Sequence, residues 1–176
     1  MKDFIESNDY IPLRKIEKTT LDFKGLYSLK VLDISVLPRL FKDELFENHT
    51  NIIYIGKGER TLMERLEEEC RGKSNATFFR GIGALLGFRP PKGSLIGMSN
   101  TNNYRFDTSD KIQIVKWMND NLEFNFTKLD NDFDAIEKEL IKKYCPILNT
   151  THNPKKSKAL AKARKECRII SQQSLK

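Results

Sequence analysis

Apolar and polar positions change period several times along the chain, and each change marks an element. Residues 25–34 (GLYSLKVLDI) and 51–57 (NIIYIGK) are rich in Leu, Val, Ile and Tyr, which predicts two strands paired in one sheet. Leu122, Phe124 and Phe126 alternate with Glu123, Asn125 and Thr127, the pattern of a half-buried strand. From Glu59 to Cys70, Leu62, Met63 and Leu66 recur at helical spacing among charged residues, so an amphipathic helix is expected there with Arg65 near its middle. Ala76 to Phe88 reads as a more apolar helix, in which Gly81 and Gly83 each cost about 1 kcal/mol relative to alanine. Ser109 or Asp110 is placed to cap a helix running to about Asn119, with Ile112, Val115 and Met118 on one face. Asp132 or Asp134 opens the next helix, striped by Phe133, Ile136, Leu140 and Ile141 and ended by Pro146.

The segments between these elements carry loop chemistry. SVLPRLFKDELFENHT, residues 35–50, reads as a Pro-containing loop with one helical turn, and residues 89–107 hold Pro90-Pro91, Gly93, Gly97 and an Asn-rich stretch. The pattern predicts an α+β fold: a small central antiparallel sheet of about three strands, flanked by helices. A chain of 176 residues suits one compact domain with a real core. We expect that domain over residues 1–154, followed by a basic tail over 155–176.

Charge supports the division. The net charge of +7 points to a polyanionic partner, yet residues 1–154 hold 23 basic and 23 acidic side chains, whereas 155–176 hold 8 and 1. The tail therefore carries the excess. It reads either as a short basic helix or as a solvated terminus, and gives sequence-blind grip on phosphates in both cases. Cys70, Cys145 and Cys167 are widely spaced, odd in number and lack a CxxC pair, so neither a disulfide framework nor a zinc site is expected, and the setting is a reducing, cytoplasmic one. No apolar run approaches the roughly 20 residues that span a bilayer. Met1 to Ile11 carries Asp3, Glu6 and Asp9 and lacks the apolar core of a secretory signal.

The candidate chemistry lies in an ordered set of residues: Gly25-Leu26-Tyr27, then Tyr54-Ile55-Gly56 with Lys57, then Arg65, Glu137 in Glu137-Lys138-Glu139-Leu140-Ile141-Lys142, Pro146 and Asn149. In this order, over roughly residues 25 to 149, the set resembles the GIY-YIG nuclease family, in a stand-alone or restriction-type member. Residues 35–50 and 71–121 then stand as insertions. The resemblance implies that Tyr27 contacts the attacking water as a general base. A phenol with a pKa near ~10 needs neighbouring positive charge for that role, and Lys57 on the next strand is placed to supply it. Tyr54 is either a second active-site phenol or a half-buried sheet aromatic. Arg65 would present a planar fork to the scissile phosphate, against the alternative of a surface arginine pairing with Glu64, Glu68 or Glu69. Arg60, Arg71 and Arg80 are its possible substitutes.

Glu137 would be the sole carboxylate ligand of a hydrated Mg2+, with Mn2+ as a substitute ion and Glu139 as the rival acid. Residues two apart on a helix point about 200° from each other, so only one of the two faces the site. Asn149 resembles the family's terminal asparagine, which holds the site and touches the substrate backbone, and on its own it reads also as a helix-ending turn asparagine. The histidine often found one turn after the arginine is replaced here by Glu69, a departure that points to assistance from Lys57. The expected function is a magnesium-dependent endonuclease acting on duplex DNA, in restriction, mobile-element, or phage or bacterial DNA processing. Arg71, Arg80, Lys155, Lys156, Lys158, Lys162, Arg164 and Lys165 are the further candidate nucleic-acid contacts, and monomer and homodimer stay open. The competing expectation is a module that keeps the fold and binds nucleic acid without cutting it.

Overall fold

A computed structural model describes residues 4–17, 21–72 and 76–174. Residues 1–3 of the N-terminal segment, 73–75 of the second insertion and 175–176 of the basic stretch lie outside these described residues. Four strands form one antiparallel sheet: β1 (Ile11–Pro12), β2 (Gly25–Val31), β3 (Ile52–Gly58) and β4 (Leu122–Lys128), in the spatial order β1-β4-β2-β3. Among the described residues six α-helices surround it: α1 (Arg39–Glu47), α2 (Leu62–Cys70), α3 (Thr77–Leu85), α4 (Thr108–Asn121), α5 (Phe133–Tyr144) and α6 (Lys158–Gln172). The α+β expectation with an antiparallel sheet holds, and the short β1 extends it by one strand at the β4 edge.

β2 is flanked on both sides, and six of its seven residues are buried, which is why its sequence shows no alternation. Its two faces meet different layers. Tyr27 and Leu29 enter the main core with Ile53, Leu62, Leu66, Phe78 and Phe124, whereas Ile52, Ile55, Ile141 and Ile5 form a smaller core under α5. β3 is the edge strand opposite β1. Its outer side is covered by the segment after α5, where the Leu148 amide donates to the Ile53 carbonyl at 3.0 Å.

Several local readings change in three dimensions. Residues 35–50 contain a nine-residue helix, α1, because Pro38 sits just outside its start and Leu37, Phe41 and Leu45 recur every four residues and are buried. α2 begins at Leu62, three residues later than its pattern suggests, because β3 continues to Gly58 and Thr61 is the cap, its Oγ1 accepting from the Glu64 amide at 3.0 Å. α4 is capped by Asp107, and its buried positions are Ile114 and Met118, with Ile112 turned to solvent at 65% exposure. α5 stops at Tyr144, with Cys145 in the left-handed region before Pro146.

The basic stretch takes the helical one of its two readings. Residues 158–172 form α6, which packs on α3 through Leu160, Ala163, Cys167 and Ser171, a stripe recurring every three to four residues. Lys158, Lys162 and Lys165 stay exposed on its other side. All three cysteines are buried free thiols.

Candidate active site

The site forms where β3 meets α2 and α5. Strand β3 pairs with β2 so that Gly56 lies opposite Tyr27 and Lys57 opposite Leu26. Gly56 is required by that register: a Cβ there would stand 2.5 Å from the Tyr27 hydroxyl oxygen, so only glycine lets the phenol cross the strand. Side chains opposite each other share a sheet face, and successive ones alternate, so Tyr27 and Lys57 point to opposite faces. The expected Tyr27–Lys57 contact is absent for this reason. Lys57 Nζ instead pairs with Asp134 at the start of α5 and with Glu59 at 2.6 Å, and both carboxylates keep it protonated by raising its pKa.

Tyr27 turns to α2. That helix is anchored at its start, where the Leu62 and Met63 amides donate to the carbonyls of Phe23 and Leu21 at 2.9 and 3.1 Å. Its buried stripe runs Leu62, Leu66, Glu69 and Cys70, so a carboxylate occupies a core position with no solvent exposure. Both phenols satisfy it: Tyr27 donates to Glu69 Oε2, and Tyr54 donates to Oε1 at 3.4 Å. Arg65, one turn earlier, pairs with Oε1 through Nη2 and with Glu68 through Nη1 at 3.3 Å. Tyr54 also packs on Phe78, with ring centroids 4.7 Å apart.

Electrostatics follow from this burial. Desolvation and the neighbouring Glu69 carboxylate push both phenols far above the ordinary tyrosine value, so neither is a phenolate at neutral pH. This reverses the expectation of a Tyr27 lowered by Lys57. Burial pushes Glu69 up to about 7, against the pull of Arg65 and the hydrogen bonds from Tyr27 and Tyr54. Arg65 stays charged, held so by Glu69 and the phenol oxygens against its own desolvation.

A cleft of about 460 Å³ opens over this cluster, lined by Tyr54, Lys57, Gly58, Glu59, Arg60, Thr61, Glu64, Arg65, Glu68 and Glu137. Four of the sequence candidates therefore converge on one space. Tyr27, with 2% exposure, stands behind Tyr54 and does not line it. Glu137 is half-buried on α5 while Glu139 is exposed, so the helix turns Glu137 to the cleft. Asn149 does not line the cleft either. Its Oδ1 accepts from the Ile55 amide at 2.9 Å and its Nδ2 donates to the Ile55 carbonyl at 2.8 Å, pairing the free edge of β3 as a strand would.

The remaining arginines have other work. Arg80 is buried under Tyr104 and bonds Thr77 Oγ1 at 3.2 Å, and Arg71 donates to the Ile16 carbonyl at 3.2 Å. Arg164 donates to the Thr77 carbonyl at 3.1 Å. Lys155, Lys156 and Lys158 line a separate groove with Glu44 and Glu47. Asn153 is a contributor that residue patterns passed over, and Glu69 one that they named only as a partner for Arg65 and in the place of the histidine. Asn153 Nδ2 donates to the Pro146 and Asn149 carbonyls at 2.8 and 3.1 Å and so braces Asn149. Glu69 was legible as the position seven residues after Leu62, on the same helix face.

Glu137 also meets the demands of a cation ligand. It makes no hydrogen bond or ion pair with any described residue, and burial raises its carboxyl pKa despite Lys57 and Arg65 nearby. The cleft wall holds four carboxylates against three cations, so a bare phosphate would meet net negative charge there. No group of three acidic, histidine or cysteine side chains able to hold a metal exists among the described residues.

Comparison with known proteins agrees with this geometry at the level of the family. No curated protein and no solved structure matched the chain at a significant level. A family model described as the GIY-YIG catalytic domain matches residues 16–166, which takes in every strand from β2 onward, the cleft and the first half of α6. The chain belongs to the GIY-YIG nuclease family.

Proposed function

We propose that this nuclease is a magnesium-dependent endonuclease that hydrolyses phosphodiester bonds in duplex DNA, in a cytoplasmic setting and in restriction, mobile-element, or phage or bacterial DNA processing. The convergence of Tyr54, Lys57, Arg65 and Glu137 on one cleft carries the reading. Phosphodiester hydrolysis needs an oriented water, charge relief on the phosphoryl oxygens and support for the departing oxygen. Each need has a residue at the cleft wall. Tyr54, a half-buried residue of the cleft wall, orients the attacking water through its hydroxyl. Arg65, already charged and braced by Glu69, offers Nη1 to a phosphoryl oxygen in exchange for its 3.3 Å contact with Glu68. Lys57, held protonated between Glu59 and Asp134, places a second positive charge at the cleft.

Glu137 would hold the magnesium ion, which supplies Lewis-acid stabilisation of charge on the phosphate when bound. Manganese suits the same oxygen ligand. Asn149 and Gly56 act at one remove, by fixing the edge and register of β3. Tyr27 likewise acts through Glu69 rather than on substrate. No helix among the described residues is long and apolar enough to cross a membrane.

The reading is tested by incubating the protein with supercoiled plasmid and magnesium, beside Glu137→Ala and Arg65→Ala. Wild-type cutting is expected to need the metal, and each variant to lose at least about 100-fold in rate, the scale of one missing charge-stabilising group. Equal cutting by wild type and Glu137→Ala would remove metal-assisted hydrolysis from this cleft.

A further inference from the structure

We infer that Glu69 is the proton acceptor for the attacking water, reached through the Tyr54 hydroxyl, with Tyr27 and Arg65 fixing the carboxylate in place. The inference rests on the nuclease reading above and concerns where the water's proton goes. The two phenols cannot supply a base as they stand, since both are driven away from ionisation. Lys57 cannot either, being held protonated by Asp134 and Glu59. Among the described groups around Tyr54, Glu69 alone combines a basic oxygen with a direct hydrogen bond from the hydroxyl of this cleft-lining residue.

Every element packed on Glu69 contributes to its state. β2 supplies Tyr27, which donates to Oε2, and β3 supplies Tyr54, which donates to Oε1 at 3.4 Å. Its own helix supplies Arg65, on Oε1, and the like charge of Glu68. α3 turns the apolar Phe78 and Phe79 into the same core, and its Arg80 lies under Tyr104. A carboxylate with no solvent exposure, three donors and apolar walls is costly to bury and contributes no packing that a leucine at this stripe position would not. Burial also brings it to about 7, so that near neutral pH about half of the molecules hold it ionised before the reaction and it is basic enough to accept a proton.

The step balances without an added reagent. As the water oxygen bonds to phosphorus, one of its O–H bonds breaks and the proton passes to Tyr54 Oη. Tyr54 passes its own hydroxyl proton to Glu69 Oε1, so the phenol is neutral before and after. The P–O bond to the departing oxygen breaks, that oxygen takes a proton from solvent in the open cleft, and Glu69 returns its proton to solvent by the reverse path. Glu69 is thus a positioning and proton-holding residue, since it touches no reacting atom.

The test is a pH profile of single-turnover plasmid cleavage at saturating magnesium, for wild type, Glu69→Gln and Tyr54→Phe, with DNA affinity measured for each. Wild-type rate is expected to rise about tenfold per pH unit below a midpoint near 7 and to level above it. Both variants should retain DNA affinity, lose at least about 100-fold in rate and lose this rising limb. A Glu69→Gln profile that parallels wild type overturns the inference and leaves the nuclease reading standing. Absence of magnesium-dependent cutting by wild type overturns both. Carbon-13 NMR of the wild-type carboxyl groups covers the case in which Glu69→Gln does not fold: a Glu69 midpoint near 7 supports the role, and one in the ordinary carboxylate range near ~4 overturns it.

Discussion

At the scale of single residues, the site is organised around a carboxylate that costs stability. A carboxyl whose pKa is higher in the folded than in the unfolded protein favours folding when protonated. The contribution of Glu69 is therefore full below its ordinary value of 4.5 and is lost as pH rises through about 7. Glu137 acts in the same direction. Asp33, Asp107 and Asp134 act oppositely, since hydrogen bonds and Lys57 lower them, but their full exposure screens the effect. The melting temperature of the wild type is accordingly expected to fall between pH 5 and pH 8 without metal, and that of Glu69→Gln to fall less. Identical slopes in a thermal melt series would show that Glu69 is not the titrating group. A buried charge kept at such cost is a common sign of function. The same residue illustrates what one-dimensional reading overlooks: Glu69 looks like one more acid in Glu67-Glu68-Glu69, and only its place on the Leu62–Leu66 face distinguishes it.

At the scale of elements, composition misled where packing outweighs it. The charge of residues 155–176 left a basic helix and a solvated tail open, and the stripe of Leu160, Ala163, Cys167 and Ser171 on one face of α6 packs it on α3. Close approach also explains a glycine that looked like a cost: a Cβ on Gly83 would stand 2.3 Å from the ring of Phe106, which packs there. Removing α6 should therefore unfold part of the core. Truncation after Asn153 strips cover from α3 and deletes the buried Leu160, Ala163 and Cys167, a loss of at least about 3 kcal/mol. For a chain of this length that lowers the melting temperature by roughly 6–12 °C, measurable by calorimetry. An unchanged melting temperature would mean that α6 is dispensable. α1 carries the same lesson with the opposite cue, since Pro38 suggests a loop but stands where a proline begins a helix.

At the scale of the whole molecule, function depends on how charge and cleft are distributed. The exposed lysines of α6 lie on the face opposite its core stripe, and we propose that this face contacts DNA phosphates. Substituting Lys158, Lys162 and Lys165 by glutamine should flatten the dependence of log affinity on log salt by about 0.9 for each phosphate that is no longer neutralised, while the melting temperature stays within a degree or two. A salt slope equal to wild type in a binding titration would exclude the face. Three of the four sheet strands, four of the helices and the ordered set from Tyr27 to Asn149 were legible in the linear chain, because period, caps and motif order are local properties that neighbouring residues enforce. Register and helix docking are not local. They put Lys57 with Asp134 instead of Tyr27, set Tyr27 behind Tyr54, turned Asn149 to the edge of β3 and drew Glu69 under both phenols. Those placements arise from contacts between residues up to 94 positions apart in the chain, where side-chain alternation and close packing, rather than composition, select the partner.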